Sequence, residues 1–248
     1  MNHELFPADT PSVETPVLRT EDELKDTIRQ LAEKYDGYKD IHENYDRYPE
    51  ALLGALANNP EMLDFVKGYP ENDGSVTGGL TKKEKEESYP LFLQWDERWG
   101  YAAYGESCIG ISGCGPTCLS MVVYALTKDD SATPDRLADY AWKQDYYVEG
   151  TGTSWSLMTE GAKAFGLQGR ELSLDEGVLR SELDQGHPVI CAMRAGDFTT
   201  AGHFIMIYAY DKDGFSVNDP NCIERSQKKW SYEDLSRQIK NLWSYYSE

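Results

Sequence analysis

The sequence is poor in positive charge, in long apolar runs and in cysteines that could pair. Of 248 residues, 24 are Lys or Arg and 43 are Asp or Glu, a formal net charge of −19. Nothing resembles a basic patch, so phosphate backbones are repelled and nucleic acid is not an expected partner. The acidity is shared along the chain: the first 88 residues carry 20 acidic and 10 basic side chains, the remainder 23 and 14. It argues for solubility rather than for any fold. No stretch reaches the roughly 18 consecutive apolar residues of a membrane-spanning helix. The start, Met1-Asn2-His3-Glu4-Leu5-Phe6-Pro7, lacks the basic and apolar regions of a signal peptide. The expectation is a cytosolic protein, or one whose targeting segment or membrane anchor lies upstream.

Five cysteines is an odd number, so at least one thiol is free or pairs with another chain. Their spacing is not that of a disulfide framework, and a zinc ligand set is missing. Cys114 and Cys118 are four apart with no matching Cys/His pair, and His187 and His203 are not at ligand spacing. The turn Gly150-Thr151-Gly152-Thr153-Ser154-Trp155 has neither the lysine nor the spacing of a phosphate loop. No metal or organic cofactor is expected, and the oligomeric state is not encoded legibly.

What is present is a normal apolar fraction, 40%, with 17 tyrosines, enough for a packed core. Residues 1–19, rich in Pro, Thr and Glu, read as a disordered segment. Residues 20–69 read as an acidic helical region. Thr20 and Glu23 form a capping box for a helix to about Tyr35 with Leu24, Ile28 and Leu31 on one face. Further helices are expected over Pro49–Ala57 and from Asn59-Pro60. Residues 70–88 read as a linker, and residues 89–248 as the main domain. There, helices are predicted from Cys114 to near Thr127, from Thr133-Pro134 through Tyr140, from the Gly150–Trp155 turn to about Phe165, and over Asp175–Gln185. Strands follow at Pro188–Met193 and His203–Tyr210, the turn Asp211-Lys212-Asp213-Gly214, a return strand to Pro220, and a tail with one short helix and a last strand. Helices first and an antiparallel sheet afterwards define an α+β fold class.

The chemistry centres on Gly113-Cys114-Gly115-Pro116-Thr117-Cys118-Leu119. A proline at the first position of an apolar helix puts Cys114 at a helix N-terminus. The macrodipole and free N–H groups there favour negative charge, hence a thiolate nucleophile. The hairpin supplies a base. With its turn at 211–214, His203 falls roughly opposite residues 220–222, so Asp219 becomes a near cross-strand neighbour. A carboxylate on one ring nitrogen fixes the tautomer and leaves the other nitrogen for the nucleophile.

These motifs, G-C-G-P-T-C-L, then A-G-H-F-I, then V-N-D-P-N, resemble the papain-like cysteine peptidases, in particular family thirty-nine, whose founding members cut double-glycine leaders from bacteriocin precursors. The upstream Q-W-D-E-R-W-G and the G-T-G-T-S-W turn resemble its stand-alone bacterial members. The resemblance spans about residues 89–246. It implies a papain-like fold and Cys114 as nucleophile, His203 as general base and acid, and Asp219 as the residue that orients it. It also implies an oxyanion donor at Gln94, which here lies 20 residues before the cysteine; the insertion Trp95–Ser112 must fold back for it to reach the site. The expected partner is a peptide or protein substrate, and the setting implied is extracellular or cell-surface.

Simpler roles stand beside these. Cys118, Cys191 and Cys222 read as core thiols and His187 as a loop residue. Trp155 walls a substrate cleft, with Gly202 beside it, or follows a helix cap as a core aromatic. Gly78-Gly79 has the form of a double-glycine cleavage site and, more simply, of a flexible linker. The same Cys-His-Asp set serves hydrolysis, acyl transfer to an amine, or a papain-like module retained for binding.

Overall fold

The computed structural model describes residues 11–247. The chain divides into two compact units, Met1–Asp73 and Gly74–Glu248.

In the first unit, α1 (Glu21–Lys34) opens on the expected capping box. The Thr20 hydroxyl accepts from the Glu23 N–H, and the Glu23 carboxylate accepts from the Thr20 N–H at 2.8 Å. Leu24, Ile28 and Ala32 form its buried stripe, while Leu31 is only half-buried. Three elements between α1 and the next expected helix were not foreseen: a 3₁₀ turn, Asp36–Tyr38, α2 (Lys39–Glu43) and a second 3₁₀ turn, Tyr45–Arg47. α3 (Glu50–Asn58) buries Leu52, Leu53 and Leu56. Asn59 then caps a 3₁₀ turn, Pro60–Met62, that runs into α4 (Leu63–Gly68). Residues 11–19 carry no helix or strand, yet they are tied down. The Val17 N–H and the Arg19 guanidinium both donate to the Asn58 side-chain oxygen, at 2.9 and 2.7 Å. The first ten residues of the segment expected to be disordered lie outside the described residues.

In the second unit the stretch read as a linker is packed structure from Gly74 onward. Thr77 N–H bonds the Arg98 carbonyl at 2.9 Å, Leu80 enters the core, and α5 (Lys82–Glu86) carries its own capping box, Thr81 with Glu84. Arg98 gathers this strap. Its guanidinium lies 2.7 Å from both Glu84 and Asp96, donates to the Gly79 carbonyl at 2.8 Å and stacks on Trp99. Composition signalled a linker here because the segment is held by one arginine far along the chain, not by a periodic apolar face. Gly78-Gly79 accordingly belongs to an anchored strap.

A hairpin of β1 (Ala103–Tyr104) and β2 (Ser107–Cys108) leads into α6 (Ile109–Ser112), α7 (Cys114–Thr127) and α8 (Pro134–Lys143). A second small hairpin, β3 (Tyr147–Val148) with β4 (Gly152–Thr153), occupies the glycine-rich turn. The helix predicted from there to Phe165 is instead two 3₁₀ turns, Trp155–Met158 and Gly161–Phe165. Ser154 accepts from the Ser156 N–H, and the two hydroxyls bond each other at 2.7 Å. Such local bonds compete with α-helical ones.

The remainder is β5 (Leu167–Glu171), α9 (Glu176–Asp184), β6 (Val189–Arg194), β7 (Gly202–Asp211), β8 (Gly214–Asn218), α10 (Ile223–Gln227), β9 (Lys229–Trp230), α11 (Tyr232–Ser236) and β10 (Ile239–Ser247). They build a six-stranded antiparallel sheet in the order β5-β10-β6-β7-β8-β9. β6 and β7 read as unbroken apolar runs because both faces are covered. Ile190, Ala192, Phe204 and Met206 join the core shared with α7 and α8, while Val189, Cys191, Ile205 and Ile207 pack with Leu179 and Leu183 of α9. β5, Leu-Gln-Gly-Arg-Glu, was not foreseen, for an edge strand with polar residues shows no apolar alternation.

Candidate functional site

Cys114 is the first residue of α7. Pro116 is therefore the third helical residue and not the first, which costs nothing, since the first four N–H groups of a helix lack intrahelical partners. Two glycines let the chain pass. A Cβ on Gly113 would lie 2.6 Å from the Ile109 carbonyl oxygen, and one on Gly115 would lie 2.8 Å from the Thr153 side chain. The free first-turn N–H groups and the helix dipole both favour negative charge at this end.

All five cysteines are free thiols, but they are not alike. Cys108, Cys118, Cys191 and Cys222 are buried, and Cys114 is half-exposed. Burial pushes the thiols of Cys108, Cys118 and Cys191 up and away from reactivity, Cys118 included although it lies one turn along the same helix as Cys114. The core assignment for Cys118, Cys191 and Cys222 agrees with this burial.

His203 lies at the start of β7, three residues beyond the Met206–Asn218 pair that sets the hairpin register. Its Nε2 donates to Asp219 Oδ1 at 2.7 Å, inside a pair that is 8% and 0% exposed. Burial alone would push the imidazole down. The Asp219 charge and hydrogen bond, with smaller contributions from a hydrogen bond to Cys114 and its charge, raise it instead to about 10. With Nε2 committed to Asp219, Nδ1 is the atom left for Cys114. The structure thus brings together the three residues that the motif order singled out.

Asp219 is held from several sides. Oδ1 also accepts from the Asn221 N–H at 2.8 Å, the Asp219 N–H donates to Ser226 Oγ at 2.8 Å, and the Cys222 N–H closes the turn onto the Asp219 carbonyl at 3.1 Å. Behind it lies Arg225, 5% exposed, with Nη1 3.6 Å from Asp219 Oδ2. Sequence reasoning missed Arg225, Asn221 and Ser226; they follow Asp219 within seven residues, in a turn whose geometry no local pattern announces.

The 95–112 insertion does fold back. Gln94 is 4% exposed, and its N–H donates to the Pro220 carbonyl at 2.7 Å, next to Asp219. Its side-chain Nε2 faces the carbonyls of Gly110 at 3.0 Å and Ile111 at 3.4 Å, in the helix just before Cys114. Both amide hydrogens are thus engaged in this arrangement, and Oε1 is buried with no hydrogen-bond partner. Gln94 stands at the site, but it offers no spare N–H there.

Trp155 is 41% exposed and is no core aromatic. Its ring meets Trp243 edge-on at 5.5 Å, with Lys240 over its face, and Trp243 in turn neighbours Phe204, the residue after His203. Gly202 is exposed beside His203, and a Cβ there would meet only the Met193 carbonyl oxygen, at 4.0 Å. His187 precedes β6 and bonds Glu182 at 3.0 Å. Among the described residues no group of His, Cys, Asp or Glu could hold a metal ion, and no helix is long and apolar enough to cross a membrane.

A cysteine leading a buried helix, facing a histidine on an antiparallel sheet, is the layout of the papain-like fold. The chain belongs to the Peptidase_C39-like family, whose profile matches residues 86–248. Among solved structures it is similar to the peptidase domain of Streptococcus ComA, described as a bi-functional ABC transporter involved in quorum sensing. The identity is 18%, with 64% of this chain and 99% of that one covered, at a TM-score of 0.45. It is also similar to a Bacillus anthracis protein described as a C39-like peptidase, at 13% identity, 64% and 95% coverage and a TM-score of 0.36. No curated protein matches the chain.

Proposed function

We propose that this protein hydrolyses peptide bonds through a Cys114-His203-Asp219 triad and an acyl-thioester intermediate. The observation that carries the reading is the buried 2.7 Å His203–Asp219 pair whose other ring nitrogen is left for Cys114. Asp219 accepts from Nε2–H, so Nδ1 takes the proton that Cys114 gives up, and the raised imidazole holds it as an imidazolium. Cys114 gives its proton to Nδ1, and the sulfur attacks the scissile carbonyl carbon as the C–O π pair moves onto oxygen. When the tetrahedral intermediate collapses, the C–N bond breaks and the imidazolium protonates the departing amine. Water, deprotonated by the same nitrogen, then releases the acid and regenerates the thiol.

The Cys114 N–H, free at the start of α7, is one donor to the oxyanion. Gln94 becomes the second once its longer contact, 3.4 Å to Ile111, gives way. A single such donor contributes on the order of 10²–10³ in turnover. Trp155 and the exposed Gly202 border the peptide, and the half-exposed indole favours substrates with an apolar side chain against it.

A peptide-library digest followed by mass spectrometry, run beside Cys114→Ala, tests the reading. Defined cleavage by the parent and none by the variant is the expected result; equal cleavage by both refutes it. Added amines report whether any acyl group is transferred instead of hydrolysed.

A further inference from the structure

Asp219 divides its carboxylate between two partners. Oδ1 takes the imidazole and the Asn221 N–H, at 2.7 and 2.8 Å. Oδ2 is buried without a hydrogen bond and faces the Arg225 guanidinium at 3.6 Å, an ion-pair distance. A buried arginine is unusual, for guanidinium is costly to remove from water. This one is also held by its backbone: its N–H meets the Cys222 sulfur at 3.4 Å, and its carbonyl accepts from the Trp230 indole at 3.0 Å. α10 therefore grips Asp219 through two successive side chains, Ser226 on its N–H and Arg225 on its carboxylate.

We infer that Arg225 is a positioning residue for the reaction: its buried positive charge aligns Asp219 and offsets part of the carboxylate's field on the Cys114–His203 pair, and so sets the pH range in which that pair works. The inference rests on the triad reading. A carboxylate with an imidazole on one oxygen and nothing on the other would exert its full negative potential on both members of the pair. A cation on the far oxygen offsets part of that potential.

The groups that share this field come from the elements around it. α7 supplies Cys114 and Cys118, and the charges of Cys114 and Asp219 both act on Cys118. The β1–β2 hairpin supplies Tyr104, whose phenol is pushed up by burial and by the Cys114 charge. β6 supplies Arg194, paired with Gly202 next to His203 and bonded to the Ile239 carbonyl at 3.2 Å. α10 supplies Arg225 and its exposed neighbour Glu224. Of the two arginines, Arg225 is the buried one, so its charge is the less screened.

The sign follows from charge alone. Removing a positive charge disfavours a thiolate and favours an imidazolium, so both inflections of the pair move upward together. A merely structural role would lower activity without moving them.

The test measures the pH dependence of Cys114 alkylation by iodoacetamide, read at the Cys114 peptide by mass spectrometry, and of peptide turnover. The proteins are the parent, two neutral variants, Arg225→Gln and Arg225→Met, and Arg225→Lys. Two neutral variants are used because one of them can fail to fold; Met fills the site without a new buried polar group. The expected result is an upward displacement of both inflections by about one unit in the neutral variants, largely restored by Arg225→Lys. Profiles in a folded neutral variant that coincide with the parent overturn the inference, and so does an Arg225→Lys profile displaced as far as the neutral ones. Failure of the triad reading looks different: Cys114 in the parent is then no more reactive below neutral pH than in the urea-unfolded chain, and Cys114→Ala retains turnover.

Discussion

The two units of the chain are built in opposite ways. The first is a set of helices tied mostly by neighbours: a capping box from Thr20 to Glu23, ion pairs from Lys25 to Glu21 and from Arg29 to Asp26 and Glu33, and a few longer ties such as Val17 and Arg19 to Asn58 and Arg47 to Glu71. The second is held by bonds that reach across most of its length, such as Asn218 to the Tyr89 carbonyl, 129 residues away, and Trp95 to the Asn221 carbonyl, 126 away. Its charges are also used differently. The cited pairs of the first unit lie on the surface, where each contributes little. In the second, Asp219, His203 and Arg225 are buried together. A chain that spends its polar groups on the surface gains helices. One that buries them in contact gains a site whose parts cannot be removed singly without consequence.

The largest test of that contrast is chemical. Cys114→Ala and His203→Ala should each lower turnover by about 10⁴ or more, while Cys118→Ala, one turn away and fully buried, should lower stability and leave kcat within a few-fold. Steady-state kinetics beside urea denaturation separates the two outcomes; equal losses of turnover at 114 and 118 would erase the distinction between them. Next in size is Asp219→Ala. It breaks a buried ion pair, which typically costs about 3–5 kcal/mol, whereas removing Glu21 from its exposed pair with Lys25 should be almost undetectable in the same urea titration.

pH sharpens the comparison further. The folded state holds His203 at about 10 against an ordinary 6.5, so it binds that proton more tightly than the unfolded chain does. The resulting stabilisation is complete below about 6.5 and is lost as pH rises towards about 10. Thermal unfolding of an inactive Cys114→Ala protein should show Tm declining as pH rises above about 6.5, over a window that closes lower than the parent's because the Cys114 contribution is gone, and His203→Ala should flatten the decline. A decline unchanged by His203→Ala would place its origin elsewhere. Smaller still is the packing at Gly115, where alanine must displace Thr153; a loss of about 1–3 kcal/mol is expected, with some loss of turnover because the displaced residue adjoins Cys114. The smallest effect is in the first unit: Thr20→Ala removes one capping hydroxyl and should cost about 1 kcal/mol, measurable by denaturant titration.

The same contrast explains what could be read from the residues alone. α1, α3, α7, α8 and α9 were legible because caps and apolar spacing are local. So was the His203–Asp219 pairing, since Asp211-Lys212-Asp213-Gly214 fixes a hairpin and a hairpin fixes its register by counting. α2 and β5 were missed because short or polar elements carry no period. The 74–88 strap was misread because its anchor, Arg98, is distant and unmarked. Gln94 was found by its type and its place before the cysteine. Its engagement with Gly110 and Ile111 depends on how an 18-residue insertion folds, and no pairwise spacing encodes that. Arg225 was invisible for a related reason: a charged residue six positions after an aspartate reads as surface until the turn that buries it is known.

One further consequence concerns order in time. β10, residues 239–247, does not lie at the margin of the sheet but between β5 and β6. During synthesis the chain emerges from its N-terminal side first, so Cys114 and His203 are both made well before the strand that completes their sheet. Until 239–247 arrives, β6 has an open edge and β5 has no partner, and the surface that supports β7 is unfinished. β10 thus acts as a wedge that must be driven home between β5 and β6 before the hairpin carrying His203 and Asp219 has a floor.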